Sequence, residues 1–142
     1  MLRFYYAVPH WDDILHVSSG AVLAIVGYSI VNACCGEGGI ERLPAGFAAL
    51  CAFMMALSFG VIWEFYEFTA DGLLGMNMQK FALEDGTNLI GRAALIDTMK
   101  DLIVDFFGAA AGALSLYAPL KHKKPVFQAF LIRHLPEKQP AA

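Results

Sequence analysis

The sequence has 142 residues, of which 58% are hydrophobic and only 16% are charged, with a formal net charge of −3. Soluble domains are about 45–50% apolar and about 25% charged, so this chain has too little polar material to cover a water-exposed surface. The negative balance and the lack of a long basic run argue against nucleic acid as a partner. The composition indicates an integral membrane protein whose main partner is the lipid bilayer.

The first apolar segment, at about 14–33, is long enough to cross a hydrocarbon core of about 30 Å. Trp11 and Asp13 precede it, as an aromatic ring and an acid do where a helix enters a membrane. His16 and Gly20 fall on the same helical side as Asp13. Small residues on such a side let two helices approach closely in lipid. The segment therefore predicts a spanning helix with one polar end and one packing face.

The second apolar segment covers about 45–68 and ends in acids among aromatic residues. Gly60, Glu64 and Glu67 are spaced three or four apart, which places them on one face of a helix. A polar, glycine-rich excursion follows at about 71–95. It is long for a simple connection, so we expect it to hold a short interfacial helix or to cap a site.

The third apolar segment, at about 101–117, has the most regular pattern of acids in the chain. Asp97, Asp101 and Asp105 recur at every fourth residue and so lie one above another on a helix. The same face continues as Gly108, while large apolar residues fill the other sides. The pattern predicts a spanning helix whose acidic face is turned towards protein rather than lipid.

Residues 1–120 are predicted to form the membrane domain and residues 121–142 a basic tail. Pro119 is expected to end the third helix, and lysines follow at once in 121–124. The positive-inside tendency then places the tail in the cytoplasm and the N-terminus outside the plasma (inner) membrane. The fold class predicted in this way is all-α, with three transmembrane helices.

Alternate spans run in opposite directions, so the polar ends of all three helices should meet at one membrane face. The predicted metal ligands there are Asp13, His16, Glu64, Glu67, Asp101 and Asp105. Crowded carboxylates repel one another and need a cation, protons or a basic side chain such as Arg92. Oxygen-rich ligands with one imidazole suit Mg²⁺, Mn²⁺, Fe²⁺ or Zn²⁺, so a divalent cation is the expected cofactor. Asp12, Asp71 and Asp97 are interpreted as solvated helix ends.

Three functions fit this acidic cluster. In the first, a bound divalent cation supports a membrane hydrolase or lipid-modifying enzyme, with Glu64 or His16 as general base. In the second, the acids pass protons or cations through the membrane; three spans are few for a path, so this requires oligomers. In the third, the protein is a structural or accessory subunit whose acids are satisfied by hydrogen bonds or by an arginine of a partner. For the second and third functions, the expected protein partner is a second copy of the chain or a partner membrane subunit.

The order of the motifs resembles a known family. Asp-x-x-His at 13–16, Trp-Glu-x-x-Glu within 62–67 and Asp-Thr-x-x-Asp-x-x-x-Asp-x-x-Gly at 97–108 are similar to the YjdF-like proteins. These are bacterial inner-membrane proteins of unknown function, and the resemblance covers roughly residues 12–115. It implies a membrane fold in which the acids act together, and it implies no activity. Typical members are expected to carry further helices before the first motif, so this chain resembles a short member.

Overall fold

A computed structural model of the chain describes residues 10–36 and 39–124. The three long helices are α1 (Trp11–Cys34), α2 (Ala45–Leu74) and α3 (Ile96–Lys121). Short 3-10 helices at Gly39–Arg42 and Gly91–Leu95 precede α2 and α3. All three long helices have the length and hydropathy needed to cross a membrane. The predicted all-α membrane fold is confirmed, while the basic tail lies outside the described residues after position 124.

Two helix ends differ from those expected from the apolar pattern. The polar residues after position 68 do not end α2, which continues to Leu74 and stops at Gly75. Gly75 has a φ of 63°, a left-handed conformation that glycine adopts without strain, and its N–H donates to the Asp71 carbonyl. Pro119, expected to end α3, lies inside its last turn instead. The helix ends two residues later, at Lys121, so the proline interrupts little of its hydrogen bonding.

The interior of the helix bundle is made of small residues. Ala24, Ala56 and Ala109 pack together and are almost completely buried. Many large hydrophobic side chains face outward, among them Phe65, Leu73, Phe107 and Leu114. A soluble domain would bury such residues, whereas a bundle in lipid exposes them and uses small residues for helix contacts.

The predicted packing role of the glycines is confirmed where α1 meets α3. A Cβ atom on Gly108 would overlap the backbone of Val17, and one on Gly112 would lie 2.6 Å from the Ala21 carbonyl oxygen. Real Cβ atoms do not approach other atoms so closely, so any larger residue must push the helices apart. The two backbones therefore touch just below the polar ends of the helices, which fixes the distance between those ends.

This contact makes a single added methyl group costly. We expect Gly108→Ala to lower the free energy of unfolding by about 1–3 kcal/mol, because the Val17 backbone has to move. The matched control is Gly72→Ala, whose Cβ would meet nothing within 4 Å. It should be neutral or slightly stabilising, since alanine favours helix over glycine. Unfolding in detergent, followed by tryptophan fluorescence, measures both, and equal effects would contradict the packing argument.

Candidate functional site

The polar ends of the three helices meet at one end of the bundle, as predicted. His16 comes from α1, Glu64 from α2, and Asp101 and Asp105 from α3. All four side chains are buried, with exposed fractions of 7%, 4%, 2% and 3% in that order. Ionisable groups buried in a membrane-spanning bundle are costly, so their mutual arrangement calls for a physical reason.

His16 is the central residue of this cluster. Its Nδ1 lies 3.2 Å from Asp105 Oδ1 in a buried hydrogen bond. Carboxylates accept hydrogen bonds, so Nδ1 is the donor in this contact, and Nε2 is the nitrogen that a neutral ring would offer to a cation. Nε2 faces Asp12 Oδ1 at 3.8 Å and Asp101 Oδ2 at 3.9 Å. Both distances are too long for hydrogen bonds, so the three groups surround a small gap.

Asp12, His16 and Asp101 form the group with the spacing of metal ligands. One ligand atom from each lies within 4.8 Å of the other two. Two ligands at about 2.0–2.2 Å from one cation can stand up to about 4.4 Å apart, which covers both distances from Nε2. Asp101 Oδ1 is also buried and has no hydrogen-bond partner among the described residues. The chemistry of these side chains fits a divalent cation.

The structure brings Asp12 to the cluster in place of Asp13. Asp13 points to the other side of α1, where its carboxylate lies 2.9 Å from His10 Nδ1 and 2.5 Å from Lys100 Nζ. Helical spacing permits either acid to reach His16, and the contacts of Asp13 with His10 and Lys100 hold it away from the cluster. Asp13, predicted as a ligand, takes part instead in an ion pair between α1 and α3.

The two glutamates of α2 lie beside the ligand group. Glu64 interacts electrostatically with His16 and Asp105, and its Oε2 accepts a hydrogen bond from Gln79 Nε2 at 3.2 Å. Glu64 Oε1 is buried and has no hydrogen-bond partner among the described residues, while Thr98 interacts with the same carboxylate. Glu67 Oε1 accepts a hydrogen bond from Trp63 Nε1 at 2.9 Å. Within the described part of the chain, neither glutamate belongs to the group with metal-ligand spacing.

The excursion between α2 and α3 folds back over the cluster. Asp71, interpreted from the sequence as a solvated helix end, is buried and accepts hydrogen bonds from two backbone N–H groups. These belong to Met78, at 2.7 Å, and Gln79, at 3.0 Å. Asp71 thus holds the excursion in the position from which Gln79 reaches Glu64. The capping role expected for this segment matches the contacts of its side chains, and the segment also holds the short 3-10 helix Gly91–Leu95.

Lys80 is the basic side chain that compensates the acids, whereas Arg92, which the sequence suggested for this role, is exposed. Its Nζ lies 2.5 Å from Asp12 Oδ2 and 2.7 Å from Asp97 Oδ1. Burial opposes the charge on this lysine, but the hydrogen bonds to both carboxylates outweigh it and raise the pKa of Lys80 above its usual value. Lys80 therefore stays charged and links the excursion to α1 and α3.

The protein's family follows from comparison with known proteins. Residues 1–122 match the family described as "Predicted membrane protein (DUF2238)". The chain belongs to this family. The resemblance to the YjdF-like proteins, which the acidic motifs carry, is consistent with this membership. Members of the DUF2238 family are thus membrane proteins by description, in agreement with the three apolar helices.

A Thermotoga maritima protein, described as "Uncharacterized protein", is 33% identical to this chain over 117 residues. The match covers 82% of the chain and 52% of the relative, so the chain spans about half the length of the relative. No solved structure matches the chain. These comparisons attach no activity to the acidic cluster, whose chemistry has to be inferred from its side chains.

We expect Lys80→Met to free the excursion from the helices, because it removes both ion pairs. Limited proteolysis should cut within residues 75–90 several-fold faster than in the wild type. Since the folded pKa of Lys80 is raised, its contribution is present below the unfolded lysine pKa of about 10.4 and is lost only as the pH rises beyond it. The protection by Lys80 should therefore be constant between about pH 6 and pH 9.

The matched control is Lys100→Met, which removes an ion pair between α1 and α3 and leaves the excursion untouched. Equal cleavage of the two variants would contradict the assignment of Lys80 as the link.

Proposed function

We propose that this membrane protein binds a divalent cation at one membrane face, with Asp12, His16 and Asp101 as ligands. The observation that carries the proposal is the set of three ligand atoms within 4.8 Å of one another. Asp101 Oδ1 lends independent support, because a buried carboxylate oxygen without a partner in the described residues is costly unless a cation or proton satisfies it.

The hydrogen bond from His16 to Asp105 supports the same proposal. Histidine ligands of metals commonly donate their second ring N–H to a carboxylate, which holds the ring in place and makes the ligating nitrogen more basic. The 3.2 Å contact between His16 Nδ1 and Asp105 Oδ1 has this form. Asp105, predicted as a ligand, is thus proposed to orient His16 rather than to touch the cation.

The balance of charge gives a third reason. Asp12 and Asp97 share Lys80, which leaves Asp101, Asp105 and Glu64 without an ion pair to a lysine or arginine in the described residues. In surroundings of low dielectric constant, such a cluster either takes up protons or holds a cation. A divalent cation between Asp12 and Asp101 would neutralise two carboxylates at once. Mg²⁺, Mn²⁺, Fe²⁺ and Zn²⁺ all suit oxygen ligands with one imidazole.

If the bound cation is catalytic, Glu64 is the residue that would act as general base. Three protein ligands leave coordination positions open for water or substrate, as in catalytic metal sites. With Nδ1 bonded to Asp105 and Nε2 on the cation, His16 has no nitrogen left to accept a proton. Glu64 lies next to the ligand group and has a buried, unpartnered oxygen in the described structure. The hydrolase or lipid-modifying activity is therefore proposed with Glu64 in this role.

The transport alternative gains no support from the helices. Transporters often place their ion sites at interrupted helices, and the glycines of α3, Gly108 and Gly112, are residues at which a helix can break. In the structure, α3 is continuous through both glycines, which are used for contact with α1. Cation binding is therefore the function that the geometry favours.

Cation binding can be tested on the detergent-purified chain by elemental analysis and by calorimetric titration with Mn²⁺ and Zn²⁺. We expect about one cation per chain for the wild type. Asp12→Asn and Asp101→Asn should each weaken binding by at least about 10-fold, as the loss of ligands and their supporting groups does elsewhere. Asp13→Asn is the matched control, because it makes the same change one residue away but outside the ligand group.

Two results would contradict the proposal. One is a metal-free wild type that no added cation titrates; the other is an Asp13→Asn variant as impaired as Asp12→Asn. A pH-dependent cation flux into liposomes, abolished by Asp105→Asn, would instead favour the transport alternative.

A further inference from the structure

A cavity of about 630 Å³ lies between α1 and α2, next to the proposed cation site. Its α1 wall extends from Asp12 to Leu23, and its α2 wall from Phe59 to Tyr66. The volume falls within the range of about 300–1,000 Å³ that is typical of binding sites for small molecules. The cavity therefore has room for a ligand beside the acids, and its walls indicate which kind.

The walls of the cavity are apolar along most of their length. Ser18 and Ser19, the two serines of its lining, donate to carbonyls of α1, at 3.1 Å to Leu15 and 2.9 Å to His16. Trp63 likewise donates its ring N–H within α2, to Glu67. These polar groups are already bonded within their own helices. Along this length, a ligand meets mainly hydrocarbon and aromatic surface.

One end of the cavity is polar. Asp12, His16 and Asp105 line it there, and Asp105 Oδ2 is buried without a hydrogen-bond partner among the described residues. Gly60 makes the space for this carboxylate, because a Cβ atom at that position would collide with it. A ligand in the cavity would thus have an apolar part deep between the helices and a polar part at the cation site.

The dimensions match one hydrocarbon chain in one leaflet of the bilayer. The eleven-residue rise from Asp12 to Leu23 corresponds to about 16 Å, at about 1.5 Å per residue. Half of a hydrocarbon core of about 30 Å is about 15 Å. A helix from a second copy would run across the whole bilayer, whereas the α1 wall of this cavity is only about half as long as the hydrocarbon core is thick. Val22 and Ile62, among its lining residues, are both 58% exposed, so the cavity opens towards lipid.

We propose that this cavity binds the hydrocarbon chain of a phosphate-headed membrane lipid, whose headgroup reaches the cation site. The inference rests on the proposed cation binding, because the acids alone would repel an anionic phosphate and only a bound cation makes their end of the cavity attractive to it. A lipid that enters the cavity sideways from the bilayer is then the class of molecule on which a catalytic cation would act.

Tryptophan fluorescence offers a direct test, because Trp63 lines the cavity and the chain has only one other tryptophan, Trp11. The chain with Trp11→Phe is placed in phosphatidylcholine vesicles with Mn²⁺ or Zn²⁺, whichever the calorimetry shows to bind. Phosphatidic acid or phosphatidylcholine with brominated chains is then added, and bromine atoms in contact with Trp63 quench it. We expect quenching by brominated phosphatidic acid to saturate at a mole fraction at least about 10-fold lower than that of brominated phosphatidylcholine.

Two variants and a chelator locate the binding site. Ser19→Phe fills the cavity and should abolish the preference for phosphatidic acid. Ser58→Phe is the matched control, since Ser58 is an exposed serine of α2 outside the cavity lining whose hydroxyl also donates to its own helix. It should retain the preference. EDTA should remove the preference from the samples that retain it, because the headgroup contact requires the cation.

The possible failures can be told apart by titrating the same Trp11→Phe sample with the cation. Quenching that rises in proportion to both brominated lipids, in a sample that binds the cation, would overturn the lipid inference alone. Saturable binding that resists EDTA would overturn the link to the cation. A sample that neither binds a cation nor shows saturable quenching would overturn both proposals. A dimer that Ser19→Phe converts to a monomer would assign the cavity to a second copy and overturn the lipid inference.

Discussion

The backbone contact between α1 and α3 is the constraint on which the polar site depends. Gly108 has no side chain, so its backbone lies directly against that of Val17. His16, one residue before Val17, is thereby brought to Asp105, three residues before Gly108. In lipid, helix association is driven by such close packing rather than by the hydrophobic effect. The glycines therefore position the imidazole ring and the α3 carboxylates that surround it.

Burial of the cluster depends on the excursion as much as on the helices. Asp71 holds two backbone N–H groups of the excursion, so that Gln79 meets Glu64 and Lys80 joins Asp12 to Asp97. Lys80 uses one oxygen of Asp12, while the other oxygen faces His16. The Asp12 carboxylate thus contacts both the excursion and the proposed cation site. Displacement of the excursion would remove Lys80 from Asp12 and leave the full negative charge of this carboxylate to a cation, which couples the two parts of the structure.

Much of the site could be predicted from helical spacing alone. Asp101 and Asp105 recur every four residues, and both are buried on the face that meets α1. Helical spacing permits both Asp12 and Asp13, four and three residues before His16, and Asp13 was predicted because it falls on the same helical side as His16. The ion pairs of Lys80 with Asp12 and Asp97 could not be predicted from helical spacing. It lies 68 residues from Asp12, in an irregular segment whose path depends on the Asp71 carboxylate.

The sequence by itself determined the membrane class, the three spans and the face at which the acids meet. Hydropathy sets where a helix can cross a bilayer, and alternating directions bring the polar ends together whatever the details of packing. Only the tertiary structure decided which acids share a cation-sized gap, which pair with lysines, and where a cavity opens beside them. Those outcomes depend on the rotation of each helix and on the path of a polar segment, and both are set by contacts between residues far apart in the chain.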